Sequence, residues 1–267
     1  TLTNSGAGVH PEGNWTAQHG TGPPSSGLHL VQDTLPPTST GNLITSTIIL
    51  DDVGRGSMGG DLIIGGLSTG ITSDSKGVER FDITVERSSE LQQISSTNNT
   101  LEEVYIVNGT TKGNLVVAGD ENGDNDLPGA EDYQNGYEGF NDVRIVDASA
   151  MEGWVDITAE LTGSVVGKYM TLTDDATNEA ADNVDFIYTL GGNNDSLFLD
   201  MSNANSALSG TTTREDFTLL VSGGAGDDAI TTVIDTSAND ADEWYINSTL
   251  NANLMAEGGS GNDTITT

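Results

Sequence analysis

The stretch GGAGDDAIT at Gly223–Thr231 returns as GGSGNDTIT at Gly258–Thr266, so one GGxGxDxU frame is filled twice, 35 residues apart. A unit of this kind is a tight glycine turn followed by a short strand. Alone it buries almost nothing, so it must stack against copies of itself. The glycines supply backbone conformations that a side chain resists, and they let carbonyl oxygens come close to a ligand. The sixth residue, Asp228 or Asp263, adds a hard anionic oxygen, and the eighth, Ile230 or Ile265, turns into a core. Carboxylate and carbonyl oxygens in a compact turn form the donor set that Ca²⁺ prefers. The candidate ligating residues are therefore Asp228 and Asp263, with the turn glycines Gly223, Gly226, Gly258 and Gly261.

Two weaker copies follow the same frame. Leu190–Phe198 (LGGNNDSLF) keeps Asp195 at position six and Leu197 at position eight. Asn193 replaces the fourth-position glycine there, a swap that the left-handed tolerance of asparagine permits. Gly56–Ile64 (GSMGGDLII) keeps Gly59, Asp61 and Ile63. Asp195, Asn193 and Asp61 join the candidate set.

Charge points the same way. Against 41 acidic residues stand 8 basic ones, a formal net of −33 over 267 residues. Such a chain repels phosphate backbones and anionic bilayers, which argues against nucleic acid as a partner. Its self-repulsion is relieved by divalent cations. There is no cysteine, so disulfides, thiolate metal sites and cysteine nucleophiles are excluded. No apolar run reaches the ~18 residues of a membrane helix, and no membrane insertion is expected. The chain opens on Thr1 rather than Met and reads as a piece of a larger protein or a processed product.

Three segments follow from texture. Residues 1–44 carry all three histidines (His10, His19, His29) and most of the prolines, and read as an extended arm or linker. Residues 45–150 and 151–267 are both β-rich, with short runs of β-branched and aromatic residues between Gly, Asn, Asp and Ser. No long helix is expected; Asp174–Asp185 is the nearest candidate and is too polar to pack. Six times an acidic residue precedes a short strand, at Phe81, Val104, Val143, Val184, Phe217 and Trp244. In four of these a second strand follows at an offset of eleven: Val104 to Leu115, Val143 to Trp154, Val184 to Asp195, Phe217 to Asp228. The chain thus reads as a ladder of two-strand rungs.

Gly-Asp turns combined with strands such as GVERFDIT (Gly77–Thr84) and TLEEVYIV (Thr100–Val107) resemble those of calcium-binding RTX-repeat proteins, in particular the S-layer proteins of Gram-negative bacteria and related giant surface proteins. The resemblance covers roughly residues 45–267. It implies an all-β, calcium-stabilised parallel β-solenoid or β-roll-like stack, with an acidic loop inserted in residues 45–150 and the calcium turns in 151–267. It also implies type I secretion, an extracellular place on a bacterial cell surface, and a structural, non-enzymatic role in a sheet or filament of identical subunits.

Other constellations are weaker. Asp120–Glu131 (DENGDNDLPGAE) places Asp120, Asn122, Asp124, Asp126 and Glu131 at the ligating positions of a twelve-residue calcium loop, with no flanking helices. Gly54–Gly59 satisfies GxGxxG, but DLII follows where a phosphate-binding motif needs a helix. Tyr133, Tyr137 and Phe140 give the alternative of an adhesin or carbohydrate-binding module that meets a cell-surface polysaccharide. A β-helical polysaccharide lyase or epimerase is less favoured, since Lys168-Tyr169 is the sole adjacent basic–tyrosine pair.

Overall fold

Period-two alternation writes the strands. Arg80–Arg87 (RFDITVER) turns Phe81, Ile83 and Val85 inward and leaves Asp82 and Thr84 half exposed. The computed structural model describes residues 15–17, 30–32, 43–54, 59–65, 77–118, 139–172, 186–202, 204, 216–234 and 251–267.

In the segment expected as an arm, β1 (Trp15–Ala17) and β2 (Leu30–Gln32) form a short antiparallel pair. After them come β3 (Thr45–Asp51), β4 (Asp61–Ile64), β5 (Arg80–Arg87), β6 (Ser89–Leu91), β7 (Gln93–Ser96), β8 (Glu103–Asn108) and β9 (Leu115–Val117). Then follow β10 (Phe140–Asn141), β11 (Ile145–Ala150), β12 (Val155–Glu160), the helix α1 (Gly163–Leu172), β13 (Phe186–Thr189) and β14 (Ser196–Met201). The last four strands are β15 (Asp216–Ser222), β16 (Ala229–Ile234), β17 (Asn251–Glu257) and β18 (Thr264–Thr266).

These strands build two parallel seven-stranded sheets. One runs β17-β15-β13-β11-β8-β5-β3; the other runs β18-β16-β14-β12-β9-β6, with β10 also paired to β12. From β8 onward, leaving β10 aside, successive strands alternate between the two sheets. The fold is β-rich and mostly parallel, and each such alternating pair of strands is called a rung below. Both sheets have strands on either side of residue 150, which is the last residue of β11. The core is a set of register columns. Phe81, Val104, Val146, Tyr188 and Val221 lie side by side in the first sheet, all buried. Edge-to-face contacts of Tyr169 with Phe186 (5.7 Å) and of Phe186 with Phe217 (6.0 Å) extend it.

Three expectations need correction. Val104 is in register with Val146, Tyr188 and Val221, and Leu115 with Val155, Asp195 and Asp228, so equivalent positions lie eleven, nine, seven and seven residues apart in successive rungs rather than at a constant eleven. The sixth first-strand, placed at Trp244, lies outside the described residues, and its rung is formed by β17, where Ala252 pairs with Phe217. Counting eleven from Ala252 reaches Asp263. Finally, α1 is a helix where none was expected. Its β-branched sequence (GSVVGKYMTL) masks the periodicity, but Val165, Val166 and Tyr169 fall on one buried face. Asp174–Asp185 lies outside the described residues.

Candidate functional site: a column of aspartates

The second sheet changes character along the stack. Register sets Leu115 beside Val155, and one residue back from the Asp156–Ser196 and Ser196–Ala229 pairs it sets Asp195 beside Val155 and Asp228 beside Asp195. Asp263 follows Asp228 in the same way. An inward position held by Ser89, Leu115 and Val155 in the earlier strands is thus held by carboxylates in the last three. Asp195 is 3% exposed and Asp228 2%.

Those carboxylates link rung to rung. Val155 N donates to Asp195 Oδ1 (2.8 Å), Asp195 N to Asp228 Oδ1 (2.8 Å), and Asp228 N to Asp263 Oδ1 (3.1 Å). A second column runs outside it: Asp227 N donates to Asn194 Oδ1 (3.0 Å) and Asn262 N to Asp227 Oδ1 (2.8 Å). Each buried carboxylate therefore ties its turn to the preceding one, which keeps the glycine turns in register.

The remaining carboxylate oxygens differ. Asp195 Oδ2 accepts a bond from Gly191 N (2.8 Å), so both of its oxygens are engaged. Asp228 Oδ2 is buried and has no hydrogen-bond partner. A β-carbon on Gly223 would lie 2.6 Å from that oxygen and would overlap the Gly258 carbonyl oxygen of the next rung. The glycine thus leaves a hollow onto which a carboxylate oxygen and a carbonyl oxygen open. Around Gly258 the three nearest atoms all belong to Asp263, Oδ2 among them, so the carboxylate half of the arrangement recurs there. A buried, unpartnered carboxylate oxygen is costly unless something supplies positive charge. The donors present, all oxygen and partly backbone, fit Ca²⁺. Among the described residues no three His, Asp or Glu side chains converge, so a cation here would draw on backbone carbonyls.

The weaker copies part company. Gly224 and Gly259 adopt φ of 97°, and Gly226 and Gly261 adopt 142° and 148°, whereas the matching Gly191 and Asn193 stay out of positive φ. The left-handed role expected of Asn193 is not taken up; its Nδ2 donates to the Glu152 carbonyl instead. Asp61 stands exposed at the start of β4, which pairs only with β7 in a separate two-stranded sheet, so it is not part of the column. Asp120, Asn122, Asp124, Asp126 and Glu131 lie outside the described residues, as do Tyr133 and Tyr137. Phe140 is fully buried and is no ligand contact. Tyr169 is core rather than catalytic surface, and burial raises its phenol pKa. Lys168 beside it pairs with Glu102 at 2.7 Å. The strand β4, not a helix, follows the GxGxxG match.

Burial raises the Asp195 carboxyl from 3.8 to about 6, with a smaller push from the Asp228 charge and opposing pulls from the Val155 and Gly191 amides. Burial also raises Asp228, helped by the charges of Asp263 and Asp227 and opposed by the Asp195 amide. A carboxyl raised in the folded state favours folding when protonated. That stability is present below about pH 4 and is lost as pH rises through about 6. Without divalent cations, the melting temperature is therefore expected to fall across this window; excess calcium should remove only the share contributed by Asp228, since both Asp195 oxygens are held by amides. Differential scanning fluorimetry in EGTA and in calcium checks this. A metal-free melting temperature that rises over the same window contradicts it.

No protein-family model matches the chain, and no curated protein or solved structure matches it.

Proposed function

We propose that the chain is a structural, calcium-stabilised protein of the extracellular surface, its two-sheet stack a β-solenoid whose last turns close on Ca²⁺. The observation that carries this reading is Asp228 Oδ2, buried without a partner over Gly223 and facing the Gly258 carbonyl side of the next turn. Asp263 repeats its carboxylate half. Asp195, with both oxygens engaged by amides, serves mainly to hold register.

The net charge of −33 gives the reading its physiological sense. Where calcium is scarce, self-repulsion and the unpartnered carboxylate oppose the compact state; where it is abundant, the turns close. Calcium then acts as a folding switch after export, and identical subunits assemble into a sheet or filament. Electron microscopy of the purified chain with calcium and with EGTA tests this directly. Ordered sheets or filaments are expected only with calcium; dispersed particles in both conditions would remove the assembly claim.

A further inference from the structure

The Asp195 and Asp228 turns are of equal length. Thr189 pairs with Ser222 before the turn and Ser196 with Ala229 after it, so one offset of 33 residues holds on both sides. Position by position, Leu190 therefore stands where Gly223 stands, and Asp195 where Asp228 stands. The backbone agrees: Leu190 N donates to Ser222 O (2.8 Å) and Gly223 N to Glu257 O (2.8 Å), each reaching the same place in the next rung. What differs at this position is the side chain. Leu190 is buried in the core, whereas Gly223 has no β-carbon.

That difference coincides with the state of the carboxylate. In the Leu190 turn, Asp195 Oδ2 accepts from Gly191 N (2.8 Å), an amide of its own turn. In the Gly223 turn, Asp228 Oδ2 takes no such bond and is buried without a partner. A β-carbon on Gly223 would stand 2.6 Å from that oxygen and 2.4 Å from Gly258 O. Both separations are well inside the ~3.5–4.0 Å at which nonbonded carbon atoms rest. A β-carbon at position 223 and the carboxylate placement seen at Asp228 therefore exclude each other. At Leu190 the β-carbon is present, and there the carboxylate is turned onto its own amide.

We infer that Leu190 is the positioning residue that withholds the Asp195 turn from cation binding: its β-carbon closes the hollow and holds Asp195 Oδ2 on the Gly191 amide, whereas glycine at position 223 leaves Asp228 Oδ2 open to Ca²⁺. The residue five places before each aspartate thus selects between two uses of one turn, a metal-free latch and a cation seat. The latch has a structural consequence. Asp195 follows Val155 in the inward column, and its bond from Val155 N (2.8 Å) needs no cation. It therefore joins the carboxylate rungs to the earlier ones whether or not calcium is present. The inference rests on the calcium reading above.

Terbium titration of residues 1–267 counts bound cations, and hydrogen exchange of the Gly191 amide in EGTA reports the latch without any metal. The Val155 amide serves as the internal reference, since its bond to Asp195 Oδ1 is of the kind both turn states keep. Leu190→Gly should speed Gly191 exchange about tenfold or more against that reference and add one terbium site. Leu190→Ala deletes nearly as much buried bulk but keeps the β-carbon, so it should do neither. Asn193→Gly, the other departure of this turn from the full glycine frame, should also leave both readouts unchanged. Gly223→Ala, the reverse change, should weaken terbium binding at the Asp228 turn about tenfold or more, though it removes no oxygen. A native chain that binds no terbium overturns the calcium reading and this inference with it. Terbium binding that neither Leu190→Gly nor Gly223→Ala alters overturns the selector alone and leaves the calcium reading standing. A site added by Leu190→Ala or by Asn193→Gly overturns the selector too, because the β-carbon at position 190 would then not be what closes the turn. If Leu190→Gly does not fold, Gly223→Ala decides, and unchanged terbium affinity there overturns the selector.

Discussion

Chelation of calcium is expected to lower the melting temperature sharply and to erode the β signal in circular dichroism, with recovery on adding calcium back. Each independent site contributes about 2.7 kcal/mol when calcium stands at ~100 times its dissociation constant. Two such turns rival half the net stability of an ordinary domain. The effect should localise. Asp228→Asn keeps the side-chain volume and the oxygen that accepts from Asp195 N (2.8 Å), but removes the charge behind the unpartnered oxygen. It should cut calcium affinity by about tenfold or more and shrink the difference between the calcium and EGTA melting temperatures. Asp195→Ala removes acceptors for two amides instead, so it should destabilise by about 1–3 kcal/mol alike with and without calcium. Calorimetric titration and thermal melts of the two variants separate the roles. An Asp228→Asn protein with unaltered calcium affinity would rule out that turn as a cation site.

The rungs could be read from the sequence where local chemistry repeats. Phe217 and Asp228 carry the spacing because one glycine turn of fixed length joins their strands, and a like turn joins Ala252 to Asp263. The strand holding Ala252 escaped notice because Asn251–Glu257 (NANLMAE) has no β-branched residue and little apolar bulk; it is a strand by virtue of pairing along the whole of β15. The middle rung misled for the opposite reason. Val143 is apolar and buried, but it precedes β11, and the register of Val146 on Val104 is fixed by neighbours that no local pattern reveals. The Gly-Asp turns pointed to the aspartates, yet not to their unequal roles. Asp195 and Asp228 both accept at Oδ1 from the preceding rung. They differ at Oδ2, which at Asp195 takes the Gly191 N–H of its own turn. Gly191 stays out of the positive φ that Gly224 adopts, a difference of turn conformation that the shared residue pattern does not reveal. Sequence likewise placed Asp61 with the others, though its strand belongs to a different sheet.

Glycine at position 224 should prove far less replaceable than glycine at position 192. Gly224 adopts φ of 97°, where a side chain strains the backbone, and a β-carbon there would overlap the Gly191 carbonyl oxygen of the preceding rung. The strain alone costs about 1–3 kcal/mol. The overlap adds to it, because the turns stack through direct bonds such as Ala225 N to Gly191 O (3.2 Å) and Ser260 N to Gly224 O (2.9 Å). Gly224→Ala is expected to cost about 2–4 kcal/mol in all and to weaken calcium binding, since pushing the turns apart moves Gly258 away from Asp228. Gly192 differs. Its nearest neighbour to an added β-carbon is the Met151 carbonyl at 3.7 Å, an ordinary contact, and its φ is unstrained. The equivalent positions in the next two turns are Ala225 and Ser260, which already carry β-carbons. Gly192→Ala should therefore be neutral, or stabilising by about 0.4–1 kcal/mol through loss of freedom in the unfolded chain. Thermal melts of both variants in calcium and in EGTA decide the matter, and equal destabilisation at the two sites would mean that the turns do not stack in this register.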